Sequence, residues 1–303
     1  AFYAYGICAD LISDCSGAGL IRVASLNNIE KIENYESLQA EELASKLDVR
    51  YTAEGTLWKM ADMFQLSVEL YDTKDKKVVW SDRWQEKWDN LPTIKGSLSD
   101  GLLKALDTKP KVAQKVDTTN PEAYEYYLRG AFKWNKRQTK EDGVIARGLL
   151  NKSIVLDDNF VDSRLKLAFS YFSMNNSAKA KKIYESALIK SEEIKDKRGI
   201  ASSLRGLGMI SASQQDFEKH LDYINRAKHI YEEIGDERGI FLILHDIGNY
   251  YGAKGNYNQA LDYYKRSISL SEKFGNQALS LFTTGRIYEK MGELDLSLDY
   301  YFR

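Results

Sequence analysis

Two hydrophobic rhythms divide the chain. From residue 121 onward apolar residues recur at helical spacing, whereas over much of residues 49–84 they alternate with polar ones. The helical rhythm is plainest in Arg238–Leu270. A first helix carries Leu244, Ile247, Gly248 and Tyr251, a turn follows at Lys254-Gly255-Asn256, and a second helix carries Ala260, Leu261, Tyr264 and Ser267. Small residues at Gly248, Ala260 and Ser267 let two helix backbones approach closely, and Tyr251 and Tyr264 fill the remaining space. The small residue of the first helix recurs as Gly130, Ala168, Gly208, Gly248 and Gly285, at intervals of 38, 40, 40 and 37 residues.

This alternation of small and large residues in a helix–turn–helix unit resembles the tetratricopeptide repeat. One such unit cannot bury its apolar face alone, so neighbouring copies are expected to stack on it. RGIASSLRGLGMI (198–210) echoes RGIFLILHDIGNY (238–250). The first repeat is expected to have an irregular turn at Gln138–Gly143, and the third to be splayed where His220 stands in place of a small residue. The chain starts at Ala1 without a methionine and stops at Arg303 within a second helix, so a piece of a longer protein is expected.

Before the repeats the pattern predicts helix, strand, helix, three strands, helix. The first helix covers Tyr5–Asp14, with Ile7, Cys8, Leu11 and Ile12 on one side, and a short strand covers Leu20–Leu26. Ser37 is a cap for a helix bearing Ala40, Leu43, Ala44 and Leu47. Val49–Lys59 reads as a strand. Phe64, Leu66, Val68 and Leu70 alternate with Gln65, Ser67 and Glu69, which marks a half-buried strand. A turn at Thr73–Lys76 leads to a third strand over Lys77–Trp84, and a closing helix over Leu91–Leu106 aligns Ile94, Leu98, Leu102 and Ala105. Two hairpins with helices against one face follow. Trp80, Trp84 and Trp88 fall on one face if the strand continues, and sheet packing is the expected reason.

GICADLISD and ELASKLDVRYTAEGTLWKMADMFQLSVELYDTKDKKVVWSDRW resemble the TolB amino-terminal-like (FlgO-like) region of bacterial multidomain signalling proteins. Gly6, Asp10, Leu11 and Ile12 match its first motif, Leu47, Val49, Tyr51, Glu54, Gly55 and Thr56 its second, and Trp80 and Ser81 its last. The family's first strand has no counterpart here. TTNPEAYEYYLRGAFKWNKR (118–137) is similar to the segment that opens the repeats in those proteins. The fold class expected is α+β: a small mixed α/β sheet domain at 1–106, a linker at 107–120, and an all-α tetratricopeptide superhelix of about five repeats at 121–303.

Composition narrows the function. Among 303 residues, 43 Lys and Arg balance 44 Asp and Glu for a net charge of −1, so no nucleic-acid partner is expected. No apolar run approaches the roughly 18 residues that span a bilayer, so no direct membrane insertion is expected. Cys8 and Cys15, seven apart on one helix, lie about 10 Å apart there, beyond disulfide reach, and read as small apolar fillers in a reducing, cytoplasmic setting. His220, His229 and His245 are scattered through repeats, no phosphate-cradling glycine loop or nucleophile motif is present, and no cofactor or metal is expected.

The candidate chemistry is a binding groove. In tetratricopeptide arrays the first helix of each repeat lines the concave face, and transferring those positions nominates Tyr127, Trp134 and Asn135, then Phe169 and Phe172, Ser202 and Arg205, His245 and Asn249, and Arg286. Asn249 can donate to and accept from a peptide backbone, and Arg205 and Arg286 can take carboxylates. The expected function is a non-catalytic interaction and regulatory region binding a protein or peptide partner. The resemblance implies one alternative, the regulatory part of an enzyme, a class III adenylate/guanylate cyclase before a serine/threonine kinase, with this region acting on an intramolecular effector domain; a second alternative is an oligomerisation scaffold working by self-association, since open solenoid ends invite self-stacking.

Overall fold

The computed structural model describes residues 2–17, 23–24, 26–108, 118–271 and 278–302. Along the chain come α1 (Phe2–Gly17), α2 (Leu26–Glu30), α3 (Ala40–Leu47), strands β1 (Tyr51–Met60), β2 (Met63–Asp72) and β3 (Lys77–Lys87), and α4 (Leu91–Ala105). The helices α5 (Pro121–Asn135), α6 (Lys140–Leu156), α7 (Val161–Phe172), α8 (Ser177–Glu193), α9 (Lys197–Ser213) and α10 (Phe217–Ile234) follow. The last four are α11 (Glu237–Ala253), α12 (Tyr257–Ser271), α13 (Ala278–Met291) and α14 (Leu294–Phe302). Residues 1–170 and 171–303 form two compact units.

In the first unit β1, β2 and β3 make an antiparallel sheet in that order. Its centre is the alternating run: Phe64, Leu66, Val68 and Leu70 are all buried, while their neighbours face outward. They share one core with Leu98, Leu102 and Leu103 of α4, Ile7 of α1, and Ala123, Tyr124 and Leu128 of α5, so the first helix hairpin packs with the sheet. A bulge leaves Val79 without a partner between the pairs Leu70↔Trp80 and Tyr71↔Val78. Trp80 and Trp84 lie 6.4 Å apart on the inner face. Trp88 falls in a 3-10 turn beyond β3 and meets Phe64 edge-on at 5.7 Å. Asp72 holds the second hairpin: its carboxylate accepts from Arg50 at 2.6 Å and from the backbone of Lys74 and Asp75 in the turn.

Several local expectations change. The strand expected at Leu20–Leu26 lies largely outside the described residues, and Leu26 itself opens a helix. Gln39, not Ser37, occupies the cap position of α3; the Ser37 hydroxyl instead donates back to the carbonyl of Asn34, closing a 3-10 turn. Cys8 is exposed, whereas Cys15 on the same helix is buried. The hairpin of α5 and α6 is regular, because Thr139 and Asp142 form a reciprocal capping box that starts α6 at Lys140.

The second unit is a series of helix hairpins. Asp196, Asp216 and Asp236 each accept a backbone N–H three residues on, at Gly199, Lys219 and Gly239, and so begin α9, α10 and α11. These caps satisfy orphan donors and set the 20-residue helix rhythm. Gly248 marks where α11 and α12 touch: a Cβ there would stand 2.6 Å from the Tyr264 ring. The hairpin of α9 and α10 is closed rather than splayed. His220 is buried, its Nδ1 is 2.9 Å from the Gly208 carbonyl, and its ring stacks on Tyr250, so the larger side chain ties the helices together with a hydrogen bond.

Candidate functional site

The first helices of successive hairpins in the second unit are α9, α11 and α13. A ladder of polar side chains crosses them. Arg205 on α9 donates from Nε to Asp246 on α11 at 2.6 Å. Asp246 is buried, and burial alone would raise its pKa; the Arg205 guanidinium outweighs this and holds the carboxyl below its usual range. Asp246 therefore stays ionised, and Arg205 is neutralised within the fold.

The ladder continues from His245 and Asn249, one turn apart on α11. Tyr264 of α12 donates to Asn249 Oδ1 at 2.8 Å, which turns the amide nitrogen toward His245 Nδ1 at 3.1 Å. His245 Nδ1 thus accepts, and Nε2 reaches Thr283 Oγ1 of α13 at 3.4 Å. Burial pushes the Tyr264 phenol up to about 12, which keeps it a donor. Asn249 itself is exposed.

Beside this ladder an open pocket of about 200 Å³ lies between α11, α12 and α13. Asn249, Tyr264 and Thr283 form its polar side, Ile287 its apolar floor, and Arg286 and Lys290 its rim. Both rim cations are exposed and form no salt bridge with a described residue. Among the described residues no group of three or more His, Cys, Asp or Glu is placed to hold a metal ion, and no helix is long and apolar enough to cross a membrane.

The nominated residues therefore divide. Arg205, His245, Asn249 and Arg286 fall on the ladder and its pocket. Ser202 shares a 2.9 Å hydrogen bond with Tyr231. In the first unit Tyr127 packs on Phe160 at 5.0 Å, Asn135 accepts from Lys166 at 3.1 Å, and Phe169 is substantially exposed. Trp134 is only 2% exposed, with the Arg137 guanidinium 3.9 Å over its ring, so it packs in the interior rather than lining an open face. Phe172, the last residue of α7, is half-buried. Asp246 is the ladder residue the sequence pattern did not nominate. Its signal is an acid inside the apolar run FLILHDIG.

Residues 199–273 and 239–301 match one tetratricopeptide-repeat model, and residues 162–190 match a second. These segments are tetratricopeptide repeats. Among solved structures, a Rap protein complexed with competence and sporulation factor is similar at 17% identity and a TM-score of 0.53, over 68% of this chain and 57% of that one. Aspartyl phosphate phosphatase F from Bacillus subtilis follows at 14% identity and a TM-score of 0.49, over 69% and 60%. BtubC (BKLC) from P. vanneervenii is similar at 17% and 0.46, over 59% and 84%. The likeness to the Rap protein is one of fold, and this chain spans little more than half of its length. No curated protein matches the sequence.

Proposed function

We propose that the tetratricopeptide repeats bind a protein or peptide partner along the face made by α9, α11 and α13, as a non-catalytic interaction region. The observation that carries this reading is the pocket beside the ladder. Its rim cations, Arg286 and Lys290, have no acidic partner among the described residues, while the Arg205 charge is matched by Asp246. A solvent-open recess with a polar side and an apolar floor suits an extended segment better than an enclosed small molecule. The reading does not draw on the cyclase or kinase that the TolB-like resemblance implies. It is tested by capture from lysate with the wild-type chain beside Arg286→Glu and Asn249→Ala. Loss of a captured protein with either variant supports this face. Retention with both moves binding elsewhere on the chain.

A second reading, self-association, is favoured by α14. LDLSLDYY (294–301) aligns with YNQALDYY (257–264), yet Leu298 is 53% exposed where its counterpart Leu261 is 7% exposed. Light scattering across a concentration series decides it: a mass that stays at one chain rejects self-association.

A further inference from the structure

Two separate sets of bonds place the protons around His245 of α11. The Thr283 hydroxyl donates to the backbone carbonyls of Leu279 and Ser280, at 3.0 and 3.1 Å. Toward His245 Nε2, 3.4 Å away, its oxygen is therefore left to accept. Nε2 carries the ring proton, and Nδ1 is bare. On the other side the Tyr264 hydroxyl donates to Asn249 Oδ1 at 2.8 Å, and the Asn249 amide nitrogen donates to the bare Nδ1 at 3.1 Å. From α12 through α11 to α13 every donor points the same way, so the four side chains polarise one another and turn as a set.

Imidazole changes charge nearest neutral pH, and a second ring proton on His245 has only Nδ1 to occupy. The acceptor that Asn249 uses is then gone, and Nδ1–H itself needs one. Asp246 Oδ1 lies 3.8 Å from Nδ1, but the two Asp246 oxygens already accept from Arg205 at 2.6 and 3.3 Å. Asn249 Oδ1 is one half-turn of the amide away. The charged and titratable groups around the ring are Asp246 on α11, Arg205 of α9, Tyr264 of α12, and Arg286 and Lys290 of α13 at the pocket. From α10 comes Tyr231, which bonds Ser202 and lies beside Arg205.

We propose that protonation of His245 turns the Asn249 amide over and reverses the hydrogen bonds that run through it. With the solvent proton on Nδ1, the ring donates to Asn249 Oδ1, and the amide nitrogen donates to the Tyr264 oxygen. The Tyr264 hydroxyl proton is thereby released from the amide and is free to turn to the pocket that Asn249 and Tyr264 line. The pocket gains a donor and a nearby positive charge in the acid form. The consequence for binding rests on the proposed partner-binding reading: a ligand that distinguishes the two amide orientations binds with an affinity that follows the same proton. The switch itself needs no ligand.

The test is nuclear magnetic resonance of the full 303-residue chain, labelled with nitrogen-15 in histidine and asparagine and titrated from about pH 8 to about pH 5. In the neutral form His245 Nδ1 should resonate as a bare, accepting nitrogen and Nε2 as an N–H. On acidification the Asn249 side-chain amide signals, identified by their loss in Asn249→Ala, should shift with the midpoint of the His245 ring. In His245→Gln they should stay flat. Four results overturn the proposal: a neutral ring that carries its proton on Nδ1, amide signals that stay flat while His245 titrates, a His245 that takes up no proton before the chain unfolds, or an amide shift that persists in His245→Gln. The co-titration is read in the wild type, so the outcome stands even where the glutamine variant fails to fold. Because no ligand is present, a failed switch leaves partner binding untouched. Conversely, a captured partner indifferent to Arg286→Glu and Asn249→Ala removes the binding reading and leaves the switch.

Discussion

At the scale of single residues, two carboxylates do structural work through ionisation. Asp72, bound by Arg50, is held down at about 2, below the ordinary value near 3.9. A depressed folded-state pKa contributes stability that is complete above the unfolded value and is lost as pH falls through the folded one. The wild type should therefore lose thermal stability between about pH 4 and 2, and Asp72→Asn should flatten that part of the profile; unchanged slopes would contradict the assignment. Asp246 follows the same sign, with its stabilising ionisation lost only below the usual carboxylate range. Removing one partner of a buried pair strands the other, so Asp246→Ala should cost about 3–5 kcal/mol by chemical denaturation. The paired change Arg205→Met with Asp246→Leu should recover most of it. Arg286 and Asn249 were legible in the sequence because they occupy known repeat positions. Asp246 was not, since an acid on a helix ordinarily reads as a solvated charge, and Trp134 was misleading because an aromatic at a groove position can turn inward.

Elements are set by caps and by close contact. Asp216 accepts the N–H of Lys219, and Asp216→Ala should destabilise the chain by about 1 kcal/mol. Gly248 and Gly148 give opposite expectations for the same substitution. A methyl group at Gly248 would drive into the Tyr264 ring, so Gly248→Ala should cost about 1–3 kcal/mol. Gly148, inside α6, has nothing within 4 Å of the added carbon, so Gly148→Ala should stabilise by about 0.5–1 kcal/mol. Matching melting curves for the two variants would show that close approach does not govern these hairpins. The repeat interval exposed Gly248 directly. The closed contact at His220 was hidden, because residue size alone predicted a gap, whereas a buried imidazole can bond the carbonyl it approaches.

For the whole molecule, repeat stacking makes stability local, since each hairpin draws on its neighbours. Hydrogen exchange should be slowest in α9 to α12, which are packed on both sides, and fastest in α14, whose Leu294, Leu298 and Phe302 are exposed. Uniform protection through α14 would instead mean that its face is covered in solution, as the self-association reading requires. Taken alone, the sequence determined the helix hairpins, their interval and the alternation of the central strand, because these rest on local periodicity and turn chemistry. Only the tertiary structure decided which polar groups meet. Arg205 reaches Asp246 across 41 residues, and that match depends on the rotation of one stacked helix against the next. The same rotation leaves Arg286 and Lys290 beside a pocket without an acidic partner among the described residues, and whether a cation is matched or left open depends on which side chains the stacking brings within reach.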